Sequence, residues 1–310
     1  MQTRTRAAVR ALTGAAIAAA LAATTACSSD AEPDTTAAAA SYSVEHARGT
    51  LDVPAAPERV VVLEPVQLDT SIALGVVPVG AAVASEAVGV PPYLGEEGEA
   101  VEVIGTVPQP NLEQIAALAP DLILGTESRH AELYDSLAAI APTAFMDSQA
   151  DPWRDNVDFV ARALGQPDAG STVLAEYDER CAEIEATHET SDRTAQLVRP
   201  RDDMLTLYGP VSFAGNTLEC AGFTIPPRDW EDSISVDLSP ELAGEAQADL
   251  VVVTSNTPDD PSTMPAAITS NEQFFPNLHL VDAAYWISGV GPIGGAAVLD
   301  DLDRILAEEG

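Results

Sequence analysis

The side chains of this sequence that are equipped for chemistry do not assemble into a reaction centre. Its four histidines, His46, His130, His188 and His279, are scattered, so neither a catalytic triad nor a zinc set suggests itself. The G-x-S-x-G elbow of serine hydrolases is missing, and S-x-x-K chemistry is impossible because all 14 basic side chains are arginine. Cys181 and Cys220 have no second cysteine or histidine at metal-ligand spacing. A secreted hydrolase is therefore the weaker reading, and no catalytic residue, metal ligand or cofactor is assigned. What remains suits recognition. Glu64 and Gln67 follow the first apolar strand, on the carboxyl edge where open α/β sheets hold ligands. Tyr208 ends a later strand, and Arg228 sits in a loop stiffened by Pro226 and Pro227, so both are candidate hydrogen-bond donors. Arg129, beyond the strand end at Gly125, is either a donor to ligand oxygens or a surface arginine paired with Glu127 or Glu132.

The elements that must position these groups are most legible from Ile104 to Gly125, IGTVPQPNLEQIAALAPDLILG. Asn111 stands where an N-cap belongs, Gln114 follows three residues later as in a capping box, and Leu112, Ile115, Ala116 and Ala119 share one helical face. Pro120 stops that helix. Leu122, Ile123 and Leu124 then form the apolar run of a strand buried on both faces of a parallel sheet. Strands expected at 60–63, 76–83 and 143–146, with helices at 67–74 and 131–140, extend the βα alternation. A long helix follows, about Asp168 to Ala186, with Val173, Leu174, Tyr177, Cys181 and Ile184 on one face. Strands resume at 196–199 and 204–208. Ser239 caps a helix with Pro240 in its first position, and DLVVVT at 249–254 repeats the character of DLILG in the first half. The fold class expected is α/β, as two α/β lobes with mainly parallel central sheets joined by one long rigid helix.

The first 26 residues carry Arg4, Arg6 and Arg10 before an apolar Ala/Leu stretch, the pattern of a secretory leader. The small residues ahead of Cys27 resemble a bacterial lipobox, although Thr24 stands where leucine is usual; lipidation of Cys27 is the expectation and ordinary cleavage the alternative. Residues 28–43 are small and polar with no apolar period, a flexible tether. A first lobe is then expected over 44–166, an interdomain helix over 167–190 and a second lobe over 191–310. The formal charge of -35 makes nucleic acid and anionic membrane unsuitable partners and favours a solvated acidic surface or steering toward a basic docking face. In an exported chain, Cys181 and Cys220 are either bridged or two buried thiols.

At this point the order of motifs resembles the substrate-binding lipoproteins of ABC importers that take up ferric siderophores. The resemblance rests on APERVVVL and ALGVVPVGA near 56–82, on the 104–125 unit, on IAPT at 140–143, on LSPEL at 238–242 with ADLVVV, and on YWISG at 285–289. It implies a shallow cleft between the lobes that holds a ferric siderophore, hydroxamate type favoured, with haem or cobalamin as alternatives on the same fold. A siderophore wraps its iron with its own oxygens, so flat apolar walls and donors are what the protein must supply. The family places Trp230 and Trp286 in loops at the cleft. Trp230 has polar neighbours that make a poor core, whereas Trp286 beside Tyr285 serves equally well as core. Family members dock a permease through one acidic residue on each lobe; Glu241 matches for the second lobe, and Glu132 or Asp135 for the first. The implied protein is a monomer, exported and lipid-anchored to the outer face of the cytoplasmic membrane.

Overall fold

The computed structural model describes residues 41–150, 152–201, 203–230 and 233–309. The leader, Cys27 and residues 28–40 of the expected tether lie outside the described residues. Residues 41–43 do not belong to a tether. Strand β1 (Ser41–His46) pairs antiparallel with β2 (Gly49–Pro54) from Ser41 onward, and Tyr42 donates its hydroxyl to the carbonyl of Ala163 at 2.6 Å. The alternation that puts Val44 inward was hidden by the small polar residues around it.

The chain continues through β3 (Val60–Val62), α1 (Pro65–Ala73), β4 (Gly80–Val83), α2 (Gly95–Glu99), β5 (Glu102–Thr106) and β6 (Gln109–Pro110). Next come α3 (Leu112–Ala117), β7 (Leu122–Thr126), α4 (Glu127–His130), α5 (Tyr134–Ala138), β8 (Thr143–Met146) and α6 (Trp153–Ala163). The N-cap at Asn111 is present, its Oδ1 accepting from the amides of Glu113 and Gln114. The capping box expected there is found at the start of α1 instead, where Gln67 Oε1 accepts from the amide of Glu64 at 3.2 Å. The six strands of this half order as β6-β5-β4-β3-β7-β8, parallel except for β6.

Helix α7 (Pro167–His188) spans 22 residues, about 33 Å at 1.5 Å per residue. It leads into the second sheet. There the chain forms β9 (Ala195–Arg201), β10 (Met204–Tyr208), α8 (Phe213–Cys220), β11 (Ser235–Leu238), β12 (Leu250–Ser255), α9 (Ala266–Thr269), β13 (Leu278–Asp282), α10 (Ala283–Trp286) and α11 (Pro292–Glu309). The segment after Ser239 is a 3-10 helix, Pro240–Ala246. The strand order is β11-β10-β9-β12-β13. Strands β9, β12 and β13 are parallel, but β10 and β11 run antiparallel. The connection from Arg201 to Met204 is too short for a crossover, and only an antiparallel partner lies within its reach.

One buried cluster joins both halves through α1, α6, α7 and α11. Gly170 of α7 makes room for close approach, since a Cβ there would lie 2.4 Å from that of Ala161 in α6. The buried Tyr177 of α7 donates to Thr217 Oγ1 in α8 at 2.8 Å. Cys181 of α7 and Cys220 of α8 are bridged, with Cα atoms 5.4 Å apart. Of the face expected on this helix, Tyr177, Cys181 and Ile184 are fully buried, and Val173 and Leu174 pack at its margin.

Candidate ligand-binding cleft

Both sheets contain a point where strand order reverses, and ligands of open α/β sheets sit outside the carboxyl ends of the strands at that point. In the first sheet the chain leaves β3 for β4 and β5 on one side and returns to place β7 and β8 on the other. In the second it leaves β9 for β10 and β11, then adds β12 and β13 on the opposite side. The residues that follow these strand ends face a common cleft made of two hollows. The larger, about 710 Å³, is lined by Arg129, Trp153, Arg154, Tyr208, Phe213 and Asn216 among others, with Trp286 and Ile287 in its floor. The smaller, about 280 Å³, is lined by Tyr93, Arg199, Asn256 and Ala284, and shares Ile287.

In the first sheet, Glu64 follows β3 and Arg129 follows β7. Arg129 Nη1 lies 3.3 Å from Glu64 Oε2, so the surface pairings expected with Glu127 or Glu132 are not made. Glu127 pairs instead with Arg48. Glu64 is 1 % exposed. Burial raises its carboxyl to about 7, against the opposing pull of the Arg129 charge and the neighbouring Thr126 hydroxyl. Gln67 is wholly interior. Its Oε1 accepts from the amides of Leu63 and Glu64, and its Nε2 donates to the Gly125 carbonyl at 2.8 Å. This amide ties the ends of β3 and β7 together, and both ends of it are occupied. The carboxyl-edge rule located its backbone correctly but not the direction of its side chain.

In the second half, Tyr208 lines the cleft and its hydroxyl accepts from Arg199 Nη1 at 3.3 Å. Trp286 is 1 % exposed, and its Nε1 donates to Asp301 Oδ2 at 3.1 Å, so it is core and cleft floor at once. Trp230 is half-buried against the backbone of Gly209, where a Cβ would come within 2.7 Å of its ring, and it lines neither hollow. Arg228 lines neither hollow either. Its guanidinium donates to the Glu245 carbonyl, and burial lowers its affinity for the proton. Glu132, Asp135 and Glu241 are all exposed.

Trp153, rather than Trp230, is the tryptophan that lines the larger hollow beside Trp286. Its ring meets Tyr177 and Phe213 edge-on at 5.0 and 5.3 Å, and its Nε1 donates to Asn216 Oδ1 at 3.0 Å. Arg154 stacks over both Trp153 and Tyr177, 5.1 Å from each ring centre, and pairs with Asp178. Trp153 reads as the first residue of a surface helix, so its sequence carries no sign of the cleft. Arg199 had a usable signal. It is the last residue of the strand expected over 196–199 and lies near the carboxyl end of β9, so the carboxyl-edge rule applied to the second half reaches it.

His130 is the buried end of α4. Its Nδ1 accepts from the Thr126 amide at 3.1 Å and its Nε2 faces the Val107 carbonyl at 2.8 Å, an arrangement that fixes the neutral Nε2-H tautomer. Burial lowers its proton affinity, and both nitrogens are occupied within the protein. Among the described residues, no group of three or more His, Cys, Asp or Glu is placed to hold a metal ion, and no helix is long and apolar enough to cross a membrane.

A family model described as "Periplasmic binding protein" matches residues 60–274. A probable siderophore-binding lipoprotein of Bacillus subtilis, YfiY, is 37 % identical over 191 residues, which span 61 % of this chain and 59 % of that protein. The Fe(3+)-citrate-binding protein YfmC of the same organism is 30 % identical over 220 residues, 70 % of this chain and 69 % of that one. Among solved structures, SirA of Staphylococcus aureus complexed with staphyloferrin B superposes with a TM-score of 0.68 at 26 % identity, over 86 % of this chain and 98 % of that one.

Proposed function

The chain belongs to the periplasmic binding protein family, and from that premise we propose that it captures a ferric siderophore in the cleft and delivers it to the permease of an ABC importer. The observation that carries this reading is the convergence of two sheet switch points on one cleft, whose larger hollow has an aromatic wall of Trp153, Phe213 and Tyr208 with Arg129 and Arg154, and whose smaller hollow holds Arg199 of the second half. Such a site grips the outside of an assembled chelate and needs no ligand atom of its own on the iron. The printed names of its relatives, siderophore, Fe(3+)-citrate and staphyloferrin B binders, support the same cargo class.

In this reading the lobes run over 44–166 and 191–310 with 167–190 between them, and Cys27 carries the lipid that holds the protein at the outer face of the cytoplasmic membrane. Glu241 and one of Glu132 and Asp135 meet basic residues of the permease, and their exposure suits that role. The protein acts as a monomer and makes or breaks no bond in its cargo. Haem ligation through His130 is disfavoured because both ring nitrogens are already engaged.

The test is tryptophan quenching with ferric hydroxamate, ferric catecholate, ferric citrate, haem and cobalamin. Saturable quenching by a ferric chelate is expected. Quenching by haem or cobalamin alone defeats the siderophore reading, and turnover of an ester or β-lactam defeats the binding-protein reading.

A further inference from the structure

Charge is distributed over this molecule against its composition. The chain has 49 acidic and 14 basic side chains, yet among the described residues lining the two hollows there is no Asp or Glu, while Arg129, Arg154 and Arg199 all line them. A strongly negative protein attracts its own arginines to surface carboxylates, and Arg48, Arg162, Arg180, Arg193 and Arg304 are each found in such pairs. Arg199 is not. It stands half-buried near the end of β9, at the second sheet's switch point, held by the Tyr208 hydroxyl and with no carboxylate partner among the described residues. Arg129 holds the corresponding place in the first sheet, and its partner Glu64 is partly discharged near neutrality.

We infer that the cleft selects ferric chelates of net negative charge, whose peripheral carboxylate or α-hydroxycarboxylate oxygens are received by Arg199 from one sheet and Arg129 from the other. The inference rests on the function proposed above and replaces the hydroxamate preference drawn from the sequence. A guanidinium offers paired donors that match a carboxylate, and in a hollow with few competing charges such a bond counts for more than at the surface. A neutral or cationic trihydroxamate complex leaves Arg199 desolvated without return.

The field outside the cleft acts in the opposite sense. An anionic chelate must approach a protein of formal charge -35, so added salt should speed its association by screening the repulsion while loosening the bound state. A cationic complex should show slower association under the same change.

The experiment compares ferric citrate, an anionic α-hydroxycarboxylate complex, with ferrioxamine B, a cationic trihydroxamate complex, by tryptophan quenching and stopped flow at several salt concentrations. Ferric citrate is expected to bind at least about tenfold more tightly, and Arg199→Gln to weaken it about tenfold while leaving ferrioxamine B no weaker than in the parent. Arg199→Lys, which keeps the charge, should recover part of the loss. Arg129→Gln supplies the second variant if Arg199→Gln melts at a lower temperature than the parent. Ferrioxamine B binding as tightly as ferric citrate, or an unchanged ferric citrate Kd in both Gln variants, overturns the inference and leaves the siderophore reading standing. Failure of every ferric chelate to quench overturns the function itself.

Discussion

Asp69 Oδ2 lies 2.8 Å from the amide nitrogen of Gly294, so a side chain of the first half caps the helix that ends the second. Its Oδ1 accepts from the Ile293 amide, also at 2.8 Å, and the Tyr93 hydroxyl donates to Oδ2 at 3.1 Å. Gly291 permits the approach, since a Cβ there would lie 2.3 Å from the Asp69 carboxylate. The contact is fully buried. Helix ends leave free amides and carry partial positive charge, which a carboxylate satisfies on both counts.

Asp69→Ala should therefore cost about 2 kcal/mol or more, because it strands two buried amides and a tyrosine hydroxyl. Urea unfolding of the variant checks this. A midpoint equal to that of the parent would show that the cap contributes nothing.

A pH series on Glu64→Gln beside the parent separates the buried carboxyl of Glu64 from that of Asp69, which burial also raises to about 7. For Glu64 the folded value, about 7, lies above the ordinary 4.5, so the folded state holds the proton more strongly than the unfolded chain. Its favourable contribution is present below pH 4.5 and is lost as the pH rises through 7. Glu64→Gln removes this dependence. The variant should gain on the parent between pH 4.5 and 7, by about 3 kcal/mol as an upper bound, and hold that margin above. Thermal melts of both proteins across this range give the sign directly.

His130 acts in the other direction. Burial lowers its proton affinity, so its contribution is intact above the unfolded value of 6.5 and falls as the pH drops below it. His130→Gln should flatten the acid limb of the stability profile while lowering stability at pH 8, where the imidazole hydrogen bonds are lost. An acid limb unchanged in the variant would assign the loss to other groups.

Reduction of Cys181–Cys220, or substitution of both by alanine, should lower stability by about 3 to 4 kcal/mol, the chain-entropy expectation for closing a loop of this size. Unfolding with and without reductant measures it. The separation of 39 residues sets the size of that loop.

Trp230→Ala is expected to lower the melting temperature, because its ring covers Gly209, but to change the ligand Kd less than about twofold. Tyr208→Phe is the converse. It should weaken an anionic chelate several-fold at nearly unchanged stability, since it frees Arg199 from its 3.3 Å tether. Parallel titrations and melts of the two variants decide between these roles.

The fold was largely legible in the sequence because its strands are apolar on both faces and its helices are punctuated by Asn111, Pro120 and Gly165. The antiparallel edge of the second sheet was not, since it depends on one short connection rather than on any periodic pattern. For the candidate site, the rule that places ligands at strand ends points to Glu64, Arg129 and Tyr208, of which Arg129 and Tyr208 line the larger hollow. It could not show that Gln67 turns inward or that Arg228 reaches back to Glu245, because side-chain direction at a loop follows from tertiary neighbours. Trp153 escaped notice for the same reason: a tryptophan at the start of an amphipathic helix carries no sign of which neighbour it meets, and only its packing against Phe213 of α8 brings it to the larger hollow.

The chain passes from the first sheet to the second through α7, which is joined to α8 by a covalent bridge, while the Asp69 cap ties α1 of the first half to α11 of the second. Mechanically the body is a clasp with a stiff back and an open mouth. In the function proposed above, cargo between the two sheets would act as a strut opposite the back, and its escape would require either a flexed spine or a broken contact at one jaw. Residence time then depends on bending stiffness as much as on the grip of any single side chain, and whatever unloads the protein has to do that bending.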